Sequence, residues 1–172
     1  MSRIPNRQFF TLIELAAVAA IIGIAVTMFI VRVDNVIPSA RLSAAARLVG
    51  SSVELALSDA IMKGEQRSVV YDLRGRAVRI EKKSDRNPEE SIVLAEHNLP
   101  AGVEIAEIEG AETEDGSAVI AVSSFGRMTP HAAHLSSTAG EMTVEIYGIT
   151  GRVRYHNERV SLREFTKDAE EE

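Results

Sequence analysis

The stretch RQFFTLIELAAVAAIIGIAVTMFIVR, Arg7–Arg32, decides how the rest of the chain is read. Its apolar run from Phe10 to Val31 is 22 residues. As a helix that is roughly 33 Å, about the thickness of a bilayer's hydrocarbon core. A single carboxylate, Glu14, interrupts its first turns. About a dozen Leu, Ile, Val and Phe side chains favour insertion by roughly 0.3–0.6 kcal/mol each, against about 3 kcal/mol for an acidic residue near the helix centre and less near an end. The run therefore inserts in spite of Glu14, but that does not explain why Glu14 is there. Buried carboxylates are normally neutralised or paired. Two readings follow: a side chain that protonates or reaches the headgroups, or a carboxylate that awaits a positive partner inside the membrane.

An ordinary secretory signal fits poorly. Arg3 and Arg7 would serve as its basic start, but the apolar run exceeds the usual 7–15 residues and no small-x-small cleavage site follows it directly. An uncleaved anchor is the better reading. Charge does not orient it, since Arg32, Arg41 and Arg47 follow the run as Arg3 and Arg7 precede it.

Beyond Val31 the composition changes. The 172 residues suffice for one modest domain behind the anchor. There is no cysteine, which excludes disulfides and thiolate metal sites. A net charge of −6 and the closing acidic TKDAEEE argue against nucleic acid, which would want a basic patch. Leu42, Ala46, Val49, Val53, Ala56 and Ala60 recur at helical spacing, with Leu48, Leu55 and Met62 widening the stripe. Gly64 is the expected stop. Pro38 either kinks one long helix, the preferred reading, or opens a second one.

From Arg67 the period becomes two. Val69, Tyr71 and Leu73, then Arg74-Gly75, then Val78 and Ile80 predict a β-hairpin. EKKSDRNPEES predicts a charged loop, and IVLAEHNLPAGVEIAEIEG two strands split at Leu-Pro-Ala-Gly. AETEDG reads as an acidic loop and SAVIAVSSFGRMTP as a nearly all-apolar strand with a Phe-Gly turn. HAAHLSS, EMTVEIYG and RVRYHN complete the set. Many short antiparallel strands and one amphipathic helix predict an α+β domain with the sheet folded onto the helix.

FFTLIELAAVAAIIGIAV resembles the N-terminal signature of the type IV pilin and type II secretion pseudopilin family. LPAGVEI, FGRMTP and MTVEIYGITGRVRY resemble elements of its H-type minor pseudopilins and FimT-like minor pilins. The resemblance implies a leader at residues 1–9, a transmembrane helix at 10–33, an amphipathic stalk at 34–64, a β domain at 65–162 and an acidic disordered tail at 163–172. It implies cleavage by a prepilin peptidase between Phe9 and Phe10, methylation of the new Phe10 amine, and a role in assembly for Glu14, which would pair with a neighbouring subunit's amine. Phe9 departs from the family, which has glycine before the cut. The implied protein is a structural minor pseudopilin of a type II secretion pseudopilus. It would be single-pass in the bacterial inner membrane, with leader cytoplasmic and domain periplasmic. Its expected partners are other pseudopilin subunits, the peptidase and the membrane. The alternatives are a minor type IV pilin for adhesion or DNA uptake, and a monomeric anchored domain that binds a periplasmic ligand.

Little else points to chemistry. His131 and His134 with Glu141 nearby could be metal ligands, but they are expected at a turn-to-strand junction, not on a helix face. The ETEDG carboxylates lack a full calcium-loop spacing. His97 and His156 suggest no partners. No nucleotide or nucleophile motif appears, so neither enzyme activity nor a cofactor is expected.

Overall fold

A computed structural model describes residues 12–84 and 90–162 of the chain, without the side chains of 25–36. The chain divides between Ile37 and Pro38 into two compact units. One helix, α1 (Leu12–Lys63), contributes to both and continues through Pro38, so the sequence forms one helix there and not two. It ends at Gly64, whose φ of 67° is the left-handed conformation glycine adopts without penalty. The Glu65 N–H then donates to the Ala60 carbonyl at 3.2 Å and closes the helix end.

In the first unit the described side chains of α1 are exposed, and all but Glu14 are apolar. Leu12 is 87% exposed, Ile13 78%, Leu15 65% and Ile21 67%. In the second unit α1 is amphipathic. Leu42, Ala45, Ala46, Val49, Val53, Ala56 and Ala60 are buried in the core. Leu48 packs against that core, but Leu55 and Met62 are exposed. The buried stripe also takes in Ala45, Gly50 and Ser52, small residues that let the sheets come close. Gly50 is buried, and a Cβ there would lie 3.0 Å from Val153 and collide with the Tyr155 hydroxyl.

Among the described residues, nine strands follow. They are β1 (Arg67–Asp72), β2 (Ala77–Lys83), β3 (Ser91–Asn98), β4 (Val103–Glu109), β5 (Thr113–Glu114), β6 (Ser117–Val122), β7 (His131–Ser137), β8 (Gly140–Ile146) and β9 (Val153–His156). They form two antiparallel sheets, ordered β3-β2-β1-β6-β5 and β4-β7-β8-β9. The expected first hairpin is β1–β2, with Val69, Tyr71, Val78 and Ile80 buried.

The two strands expected on either side of Leu-Pro-Ala-Gly are β3 and β4. They lie in different sheets, so this segment carries the chain from one to the other. One expectation is corrected. The acidic loop contains a hairpin, in which Glu114 pairs with Ser117 around Asp115-Gly116. Both turn residues have positive φ, 51° and 79°, the geometry that Asp-Gly favours in a two-residue hairpin. The apolar strand β6 is two-sided as well. Ala118, Ile120 and Val122 face the core while Val119 is 56% exposed.

Candidate functional site

The first candidate is the beginning of α1. Glu14 lies in its first turn and is exposed. A carboxylate there is favoured by the helix dipole and the unpaired N–H groups of the first turn. Around it Leu12, Ile13, Leu15 and Val18 are exposed too. Phe9 and Phe10, the expected cleavage and methylation positions, lie outside the described residues, as does the expected acidic tail at 163–172. Among the described residues no helix is long and apolar enough to cross a membrane. The side chains described within the apolar run are only those of Leu12–Ile24.

The second candidate is a buried polar system that the residue pattern did not show. His131 and His134 are both buried, and both are on β7. Three residues apart on a strand, they point to opposite faces. His131 points into the core. Its Nδ1 is 2.9 Å from the Thr129 carbonyl and its Nε2 2.9 Å from the Tyr71 hydroxyl. A carbonyl only accepts, so Nδ1 carries the proton and Nε2 accepts from Tyr71. The rings meet edge to face at 5.6 Å. Burial pushes the His131 pKa down to about 4, with the Thr129 carbonyl opposing. Burial also pushes the Tyr71 hydroxyl up. The pair ties β1 of one sheet to β7 of the other.

His134 points the other way, into a network that fastens the segment after β9. Its Nδ1 is 3.1 Å from the Thr143 hydroxyl and its Nε2 3.4 Å from a Glu109 carboxylate oxygen. Thr143 donates to the Glu158 carbonyl at 2.9 Å and accepts from the Val160 N–H at 3.1 Å. Glu109 accepts from the Ser161 hydroxyl and the Leu162 N–H, each at 3.0 Å. Arg159 pairs with Glu107. Burial would raise the Glu109 pKa, but the Leu162 N–H, the Ser161 hydroxyl and His134 outweigh it and hold it below the usual carboxylate range. His156, for which no partner was expected, sits 3.1 Å from the buried Glu145.

This second system resembles catalytic machinery in composition, not in arrangement. Ser161 and His134 both touch Glu109, so the carboxylate lies between them and the serine hydroxyl bonds to Glu109, not to the imidazole. Glu112, Glu114 and Asp115 line a concavity of about 510 Å³, yet among the described residues no three His, Asp or Glu groups are placed to hold a metal ion. The polar network's contacts instead close one face of the second sheet with the chain's own segment Glu158–Leu162.

The architecture can be compared with solved structures. Two structures of the minor pseudopilin EpsH, from the type II secretion system of Vibrio cholerae, superpose with TM-scores of 0.55 and 0.53 at 15% and 16% identity. The match covers 70% and 67% of this chain and 96% and 95% of theirs. The chain has the minor pseudopilin fold. The type IV minor pilin FimU of Pseudomonas aeruginosa aligns with a TM-score of 0.48 and 16% identity, over 66% of this chain and 86% of its own. No family model matches the sequence, and no curated protein matches it. The second half of α1 is the spine on which the sheets pack.

Proposed function

We propose that this protein is a structural, non-enzymatic subunit of the minor pseudopilin kind, anchored in the bacterial inner membrane by the start of α1 and assembled into a periplasmic pseudopilus. The observation that carries the proposal is the described start of α1, residues 12–24, where every side chain but that of Glu14 is apolar and all are exposed. A helix of this kind is stable only inside a bilayer or among other apolar helices. The apolar run in the sequence reaches from Phe10 to Val31, long enough to span. Glu14 then takes the role that the family resemblance gives it, pairing with the amine of a neighbouring subunit. The fold supports the same reading for the second unit, whose sheets and turns remain outside the membrane to choose neighbours.

Processing tests the proposal. Protein extracted from membranes with detergent should have the intact mass of a chain that begins at N-methylated Phe10. A start at Met1 or Ser2 would show that Phe9 blocks the peptidase. The Glu14 pairing would then fail, because no amine lies beside Phe10. A start near residue 40 would indicate ordinary signal cleavage and remove the anchor altogether.

A further inference from the structure

The outermost strand of the five-stranded sheet is β3, which at eight residues is the longest of the described strands. It pairs with β2 on one side, and among the described residues no strand pairs with it on the other. Such an edge presents a row of N–H and C=O groups ready for another chain, and proteins usually guard it with charge, proline or shortness. The other edges here are guarded. The strand β5 has two residues, β9 has four, and β4 carries Glu104, Glu107 and Glu109. By contrast β3 has neither lysine nor proline, and Glu96 is its one acidic residue. Ile92, Val93 and Leu94 follow one another along it, 43%, 49% and 44% exposed.

A cleft of about 460 Å³ lies between this edge and α1. Its apolar lining is Leu55 from the helix and Ile80, Leu94 and Ala95 from the strands. Ile80 pairs with Ala95 and Glu81 with Val93, so Leu94 is the extra residue of a bulge. A bulge re-aims a side chain, and here Leu94 and Ala95, neighbours in sequence, both line the cleft. A strand added along β3 would send alternate side chains toward it. Charge within the cleft is close to balanced: Asp59 and Glu65 both pair with Arg67, and Lys63 and Lys82 lie beside them. Along β2 and β3 the next group of charges is acidic. Arg79 pairs with Asp72 and Glu81, and Glu96 stands opposite Arg79 in the ladder. With Lys83 further along β2, three carboxylates face two cations.

We propose that β3 takes an extended segment of another protein as a further strand, with apolar side chains turned into the cleft and basic ones turned toward Glu96. Main-chain hydrogen bonds supply the affinity of such an addition, and the side-chain sites choose the sequence. A membrane does not fit, because a bilayer would leave the peptide groups of the edge unsatisfied. A second copy does not fit either. Two β3 strands paired along their whole length would set each Val93 opposite the other copy's Glu96. The two Glu96 carboxylates then become diagonal neighbours, where like charges repel. Each copy also carries a net charge of −6. Every residue named belongs to the second unit, so strand addition here does not require the anchor.

The test uses the full chain in its native cells, with p-benzoylphenylalanine in place of Leu55 or Leu94, one on each wall of the cleft. Irradiation should join both positions to the same protein, other than this chain. The adducts should map to one stretch of about six residues in which apolar side chains alternate with others that include Lys or Arg. Glu96→Lys and Val93→Lys should each lower the yield about fivefold, as expected when a like-charge cross-strand pair replaces a favourable one, and Glu96→Gln should lower it less. Val93→Lys places its ammonium opposite Glu81, so its melting temperature should stay within a few degrees of wild type. Adducts to lipid, to a second copy or to another segment of the same chain would overturn the proposal. So would adducts from 55 and 94 on separate segments, a segment without the alternation, a yield indifferent to either lysine substitution, or no adduct at all.

Discussion

His131 accepts a hydrogen bond from Tyr71 and donates one to the Thr129 carbonyl, both at 2.9 Å in the core. The imidazole must therefore stay neutral, and burial holds its pKa at about 4. In the unfolded chain the value returns to about 6.5. Between those values the unfolded state binds the proton and the folded state does not, so stability rises with pH across the window and is lost as pH falls through it. The loss approaches about 3 kcal/mol at the acid end. Urea unfolding of the wild type and His131→Gln from pH 7 to pH 4 should show the wild type losing stability faster. Parallel curves would mean that the ring is protonated or solvated in the folded protein. Tyr71→Phe should cost about 1–3 kcal/mol at neutral pH, because it leaves a buried ring nitrogen without a donor.

At the scale of elements, the features read correctly from sequence were local ones. Val69, Tyr71, Val78 and Ile80 alternate, and β1 and β2 follow. Gly64 stops α1, as a glycine beyond the last periodic residue does. What could not be read depends on pairing between distant segments. Leu-Pro-Ala-Gly has turn chemistry whether the next strand joins the same sheet or the other one. Leu55 fits the helical stripe, but the width of the buried stripe depends on how closely the sheets approach. His156 found Glu145 only because β9 lies beside β8 with Thr143 opposite His156 and Glu145 opposite Arg154. The polar network around Glu109 likewise joins residues about fifty positions apart. Gly148 shows the same long-range logic. A Cβ there would lie 2.7 Å from the Pro130 nitrogen and collide with the Met128 carbonyl, both backbone atoms that cannot swing aside. Gly148→Ala should therefore lower stability by about 1–3 kcal/mol, the cost of overpacking. A thermal melt unchanged from wild type would show that Gly148 does not pack tightly against the Met128 and Pro130 backbone.

For the whole molecule, the two units make opposite demands on their surroundings. Pro38–Glu172 covers the apolar stripe of its own helix segment with two sheets. Deleting Met1–Val33 should leave a soluble, folded, monomeric domain by circular dichroism and light scattering. Persistent aggregation would mean that the stripe is a surface between subunits and not one covered within the domain. The first half of α1 cannot be satisfied in that way, since its described apolar side chains lie open on all sides. Its sequence pattern was legible, because a long apolar run with a lone carboxylate is visible without a structure. A partner for that carboxylate was given only by the resemblance, because no pattern within one chain can name a group on another. Substituting Glu14→Gln keeps size and hydrogen bonding but removes the charge, and burying the amide costs no more than burying the carboxylate, so insertion should survive. The decisive measurement is photocrosslinking from position 15 in intact membranes, comparing the wild type with Glu14→Gln at matched expression. Assembly through Glu14 predicts a sharp fall in subunit adducts, because a neighbour's amine would be buried without its counter-charge. Equal yields in the two would contradict it and favour an anchored domain that acts alone.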